Sequence, residues 1–270
     1  MKKQYFAQSF ASSNLILVLW IMAVLFIAKS CSSRRMIVID TSMMSSIQVG
    51  APDLYNDEYV QRLILDGWPA DILNTAADAY YLDDDEKNLV LAHNLVRFDP
   101  KRFAQLYVSE YTTYFDNLEF RYPGLRNILL TQEGLAPLKE LYLELLSTEP
   151  MGLLYPSKGL SRAAELHMDY LVENNKLGHD GQGGLAARIE RFGDWDHIIG
   201  ENIAYGNFSA HDALLYMLID DNVPDRSHRT IIIDPMFTLI GVAKGEHPSF
   251  SREYSYVINY AKSFKDHDPN

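Results

Sequence analysis

Cysteine is all but missing. Cys31 is the single one in 270 residues, so no disulfide can form within the chain and packing must hold the fold. The local signatures GxxxxGK, HExxH, GxSxG and CxxC are also absent, which removes the common nucleotide-binding, zinc-protease, serine-hydrolase and thiol-redox readings. Positive charge is scarce: 24 Lys and Arg against 36 Asp and Glu leave a formal charge of -12. Nucleic acid and anionic lipid surfaces are bound by basic side chains that displace counterions, so neither is an expected partner. No internal repeat is visible, and no apolar run reaches the roughly 20 residues a spanning helix wants.

What is present is an ordinary globular composition, 47% hydrophobic and 12% aromatic, enough for one sizeable core or one core plus a small extra segment. At the N-terminus Lys2 and Lys3 precede an apolar run from Leu15 to Ala28, the length of a signal-peptide core. Cys31 follows Ala28, Lys29 and Ser30, and small residues ahead of a lone cysteine resemble the lipobox at which bacterial prolipoproteins are cleaved and acylated, although Lys29 departs from that pattern. The expectation is an export signal or membrane anchor over residues 1–30, with lipidation at Cys31 and an uncleaved anchor as the alternative. Either route tethers the protein to a membrane outside the cytoplasm. Acyl chains on Cys31 would supply stable anchoring at about 0.8 kcal/mol per buried methylene.

Residues 31–56 read as a polar spacer without assigned structure, and 57–82 as a weakly helical extension, broken by Gly67 and Pro69, that packs on the domain. The domain proper runs over 83–264, followed by a short tail, 265–270. Asp83 and Glu86 have capping-box spacing ahead of a stripe of Leu89, Ala92, Leu95 and Val96. Asp99 caps a second helix with Pro100 at its first position, where a missing N–H costs nothing, and with Phe103, Leu106, Tyr107 and Tyr114 as its buried face. Leu135, Leu138, Leu141, Tyr142 and Leu145 mark a third helix closed by Pro150. A fourth is expected from Lys158 to Leu177, ended by Gly178 in the left-handed conformation, so that His179 emerges at a helix terminus. Asp180 to Gly184 reads as flexible backbone. Ser209 and Asp212 start another helix with Ala213, Leu214, Met217 and Leu218 facing inward. Thr238 to Lys244 and Tyr254 to Tyr260 read as strands, the second placing Tyr254, Tyr256, Ile258 and Tyr260 on one face.

Three stretches carry the chemistry: LGHDG ending in Gly181, GENIAYG from Gly200 to Gly206, and DRSHRTIIIDPMFTLIGVA from Asp225 to Ala243. A histidine past a helix end, a glutamate in a Gly-Glu-Asn turn and a His-Arg pair ahead of a Gly-Val strand together resemble the CAP superfamily. So does NLVRFDPKRFAQLY from Asn94 to Tyr107. Relatives include cysteine-rich secretory proteins, insect venom antigens and plant pathogenesis-related proteins, and the lack of disulfides points to the bacterial branch. The resemblance implies an α+β fold, an α-β-α sandwich of the CAP or SCP type, with a cleft lined by His179, Glu201, Asp220 and His228. Asp220 is chosen over Asp221 because relatives carry an acidic residue three positions after a helical tryptophan, and Met217 stands in the tryptophan's place.

Two imidazoles and two carboxylates could present nitrogen and oxygen ligands to a divalent metal such as zinc, with His179 and His228 as the metal ligands. They could equally hold a small lipid or peptide ligand. No obvious nucleophile accompanies them, and Ser227 is merely next to His228 in sequence. Read singly, His179 could favour a helix dipole, Glu201 could brace a turn, and Asp220 could end a helix in solvent. His167, in register with Leu160, Ala164 and Leu171, reads as a hydrogen-bonded core residue, and His93 and His247 as structural. The expected function is a non-enzymatic binder of a cell-envelope ligand. The alternatives are a metal-dependent hydrolase acting on envelope peptides or esters, and a structural or interaction protein.

Overall fold

The computed structural model describes residues 35–38, 57–122, 128–206, 209–250 and 254–267. The apolar run at 15–28, Cys31 and nearly all of the expected spacer lie outside them. Among the described residues no helix is long and apolar enough to cross a membrane. Within the segment read as spacer, Arg35–Val38 forms a strand, β1.

Helices α1 (Asp57–Leu65) and α2 (Ala70–Leu73) make up the extension. The chain reverses between them at Gly67, whose φ of 79° suits glycine. Their Leu63 and Leu73, with Trp68, Ala76 and Leu82, are buried in the same core as α3 (Asp84–Phe98). The α3 start is the expected capping box: Asp83 Oδ1 accepts the Glu86 amide at 2.9 Å and Glu86 Oε2 accepts the Asp83 amide at 2.8 Å. From Asn88 to Arg97 every residue of α3 is buried, because it runs through the middle of the molecule with the sheet on one side and other helices around it.

The second helix departs from its expected pattern. It opens as α4 (Pro100–Phe103), capped by Asp99, then widens into a π-helical stretch over Ala104–Val108 before a last turn at Ser109–Tyr111. One extra residue per turn rotates the following side chains. Phe103, ahead of that stretch, is buried as expected, and Val108 and Tyr111 are buried after it, while Leu106, expected inside, is 41% exposed. A small antiparallel sheet follows, β2 (Phe115–Asp116), β3 (Glu119–Phe120) and β4 (Leu129–Leu130). Helix α5 (Ala136–Ser147) then buries Leu138, Leu141 and Leu145 as its period requires.

The main sheet has the order β1-β6-β8-β7-β5, with β5 at Tyr155–Pro156, β6 at Gly193–Ala204, β7 at Leu239–Glu246 and β8 at Tyr254–Asp266. Strand β8 pairs antiparallel with both β6 and β7, and β5 runs parallel to β7. Alternation sends Ile199, Ile203, Val257 and Ala261 to one face, against α6 (Lys158–Asn174) and α7 (Gly184–Ile189). Val242, Tyr256, Ile258 and Tyr260 go to the other, against α3 and α8 (Ala210–Ile219). Helices cover both faces, so the architecture is the α-β-α sandwich. Tyr254 shares the alternation of Tyr256 but sits at the strand's open end, 37% exposed.

Three further expectations need correction. Helix α6 stops at Asn174, and Asn175, not Gly178, takes the left-handed position with φ 47°; its amide closes the helix onto Leu171 O and Val172 O. Gly178 is also left-handed, φ 88°, but lies in the loop beyond, so His179 is not at the helix end. The Asp180 to Gly184 loop is not loose: the Arg188 guanidinium donates to His179 O and Gly181 O, and Gln182 Nε2 donates to Leu166 O. Glu201 sits in the long strand β6, not in a turn.

Candidate functional site

Glu201 projects from β6 opposite Asn259 of β8, beneath α6 and α7, and is fully buried. A lone carboxylate there would be costly, so it is surrounded by donors. Arg188, from α7, donates Nη2–H to both of its oxygens, at 2.7 and 2.8 Å, and His179 Nδ1 lies 2.7 Å from Oε1. Burial alone would push the Glu201 carboxyl up, but the His179 hydrogen bond and the Arg188 charge outweigh it and hold the group below the usual carboxylate range. His167 stands behind them, its Nε2 3.0 Å from Gly178 O and 4.0 Å from Glu201 Oε1. Burial pushes its imidazole down, with Glu201 opposing and Arg188 adding to the shift.

The second pair forms around α9 (Ser227–Ile232). Asp220 ends α8 with φ 60°. Its Oδ2 accepts the amides of His228 at 2.9 Å and Arg229 at 3.3 Å, which otherwise are orphan donors at the start of α9, and its Oδ1 meets His228 Nδ1 at 2.6 Å. Asp220 thus caps the helix and orients the ring. The neighbouring Asp221 accepts the amides of Gln132 and Glu133 instead, both at 2.8 Å. Arg229, 1% exposed, ties α9 to Leu218 O and Ile219 O and to Glu140 and Glu144 of α5. Arg97 secures the other end through Ile232 O and Asp234 O.

The four residues singled out from sequence therefore form two histidine–carboxylate pairs, His179 with Glu201 and His228 with Asp220. Strand β6 links them: Glu201 holds the first pair, and the next residue, Asn202, donates from Nδ2 to His228 O at 3.2 Å. Consecutive strand residues project to opposite faces, so the Glu201 and Asn202 side chains leave β6 on different sides.

In both rings a carboxylate faces Nδ1. A carboxylate accepts, so Nδ1 donates to it and Nε2 is left outside the pair. Both Nε2 atoms are buried and, among the described residues, without a hydrogen-bond partner. The carboxylate oxygens, by contrast, are engaged, and among the described residues no group of three or more His, Cys, Asp or Glu side chains is placed to hold a metal ion. A catalytic zinc centre uses three protein ligands and an open position; two imidazole nitrogens do not supply that set. Nor does Ser227 pair with His228, whose Nδ1 is on Asp220 and whose Nε2 has no partner among the described residues.

Arg188 and Asn202 were not singled out from sequence. The one signal for Arg188 is a cation inside the apolar stretch Leu185, Ala186, Ala187, Ile189, and nothing local distinguishes it from an ordinary surface arginine. Asn202 stands beside Glu201 in the motif but reads there only as part of a turn.

The sequence matches the cysteine-rich secretory protein family, CAP, over residues 91–260, well over half of the chain. No curated protein matches it. Among solved structures it is similar to an extracellular SCP-domain protein of Bacillus anthracis, at 23% identity and a TM-score of 0.32, covering 42% of this chain and 35% of that one. It is also similar to an outer surface protein of Borrelia burgdorferi, at 19% identity and a TM-score of 0.33, covering 47% of this chain and 92% of that one. The chain thus spans about a third of the first of these. With helices on both faces of the sheet and the matched motifs in the elements just described, this chain belongs to the CAP family.

Proposed function

We propose that this CAP domain is an exported, membrane-tethered binding module that takes up a small lipid or peptide ligand of the cell envelope, without turning it over, through the His179–Glu201 and His228–Asp220 pairs. The observation that carries the reading is the pairing itself. Each imidazole is fixed at Nδ1 by a buried carboxylate, and its Nε2 has no partner among the described residues, an arrangement suited to recognising a partner atom. Binding sites hold a few such placed polar groups within otherwise apolar walls. The engaged carboxylates, the two-nitrogen donor set and the unpaired Ser227 weigh against the metal-hydrolase and serine-hydrolase readings. Tethering rests on the apolar run from Leu15 to Ala28 and on Cys31.

Native mass spectrometry of the full chain purified from membranes tests both parts. The expected result is an acylated Cys31 and a co-purifying small molecule that is lost from the His179→Phe, His228→Phe double variant while its circular dichroism is retained. Hydrolysis of an envelope peptide or ester that disappears in His228→Ala would overturn the non-enzymatic reading.

A further inference from the structure

We propose that His247 is an acid-sensitive latch on the connection from α6 to His179, holding it closed while the ring is uncharged and releasing it when the ring takes up a proton. As regulation of the same site this rests on the binding reading above, but the latch is tested without a ligand, so the two fail separately.

The partners of the ring fix its state. The Ser249 backbone amide donates to His247 Nδ1 at 3.2 Å. An amide N–H can only donate, so Nδ1 is an acceptor, and Nε2 carries the one ring hydrogen and gives it to Lys176 O at 2.8 Å. In the closed connection the ring is therefore neutral, with both nitrogens in use. A second proton on Nδ1 sets N–H against N–H, and the Ser249 contact is lost. The ring is 2% exposed, and among the described residues no carboxylate forms an ion pair with it, so nothing there offsets a buried charge. The charged groups on the elements around it are Lys176, turned to the Tyr170 hydroxyl at 2.9 Å and within reach of the Asp180 charge, and the exposed Glu246. The Tyr205 phenol is the other titratable group against the ring.

The latch reaches His179 through a short chain of contacts. Ser249 Oγ donates to Asn175 Oδ1 at 2.8 Å, beside the bond from His247 to Lys176 O. Tyr205 packs edge-on to His247 and stacks on Phe250, and its hydroxyl accepts the Gly178 amide at 2.8 Å, one residue before His179. Asn175, Lys176 and Leu177 are exposed, so these polar contacts, more than apolar burial, keep the connection down. The other two imidazoles on it respond differently. His167 Nε2 donates to Gly178 O at 3.0 Å and His179 Nδ1 to Glu201 Oε1 at 2.7 Å. A protonated ring still donates in both places, so only His247 loses a contact to this connection in acid. The opened connection then holds one proton more than the closed one, and falling pH favours it.

NMR-detected hydrogen exchange on the full chain, corrected for the intrinsic rate, tests this between about pH 7.5 and about pH 5, the range in which imidazoles ionise. The expected result is a fall of about three- to tenfold in the protection of the Gly178, Ser249 and Phe250 amides toward acid, the worth of one hydrogen bond, with the β8 amides unchanged. His247→Gln offers a donor and an acceptor that do not titrate, and it abolishes the pH dependence. Ser249→Ala, which removes the Asn175 contact and keeps the ring, lowers protection at both pH values and retains the dependence. Protection that is flat with pH in the wild type, or a pH dependence that persists in His247→Gln, would overturn the latch. So would a loss toward acid shared equally by β8, the mark of global unfolding.

Discussion

Replacing Arg188 by methionine isolates the interaction on which the His179 side of the site rests. Glu201 is fully buried, and its carboxylate is balanced by a two-pronged contact at 2.7 and 2.8 Å from Arg188 and by His179. Methionine fills much of the arginine's volume but leaves the carboxylate without its cation. Breaking one side of a buried pair costs about 3–5 kcal/mol, because the remaining charge is uncompensated. In a unit of this size the loss lowers Tm by about 6–20 °C. The double variant Arg188→Met, Glu201→Met removes both charges and recovers most of that loss, since buried pairs and apolar replacements of similar volume differ little.

The pH dependence supplies a second signature. In the wild type the Glu201 carboxyl is held below its ordinary value of 4.5. Its contribution is present above that value and is lost as pH falls through the lower folded one. Without Arg188, burial dominates and raises the group above 4.5, so the variant gains stability relative to wild type as acid protonates the buried carboxyl. Calorimetry between pH 7 and pH 4 therefore shows the Tm gap between Arg188→Met and wild type narrowing toward acid. A gap under about 1 kcal/mol at pH 7, the range of exposed ion pairs, or one that is flat with pH, would refute the reasoning.

His93 is buried and neutral, its imidazole pushed down to about 4 by burial. The unfolded chain takes up that proton first as pH falls below 6.5, so about 3 kcal/mol of stability is lost between there and about pH 4; NMR titration places its midpoint, and His93→Gln removes this part of the acid slope in urea melts. Gly241→Ala sets a methyl group against the backbone of Leu160 and Ser161, where α6 crosses β7. The two elements must separate, and the cost of about 1–3 kcal/mol or more appears in the urea midpoint. Deleting residues 57–82 uncovers the core that Leu63, Trp68, Leu73 and Ala76 close and removes Leu73 O and Thr75 as partners of Asn94. The shortened protein is expected to bind the dye ANS and to lose its sharp thermal transition.

Most helices could be read from the chain because local chemistry determines them. The capping box at Asp83 and Glu86, the proline at the start of α4 and the period of α5 stand in the structure as their residues require. Where long-range packing overrides local preference, the reading slipped. Leu106 turned outward because a π-helical stretch interrupts α4. The end of α6 fell to Asn175, a residue that tolerates the left-handed conformation nearly as glycine does. Strand β6 was missed around Glu201, since a polar residue flanked by glycine looks like a turn until β8 is laid beside it.

The sequence by itself determined the family motifs, the α+β class, the absence of disulfides and the identities of His179, Glu201, Asp220 and His228. The class and the four residues follow from the resemblance of those motifs to the CAP family, and the lack of disulfides from the single cysteine. Only the tertiary structure decided what those side chains do. It gave each of the two histidines its own carboxylate, placed Arg188 behind Glu201, made Asp220 the cap of α9 and left both Nε2 atoms without a partner among the described residues. The physical reason is that hydrogen-bond donors and acceptors are spent by neighbours distant in sequence. Which lone pairs remain for a ligand can be counted only after the strands and helices have closed around them.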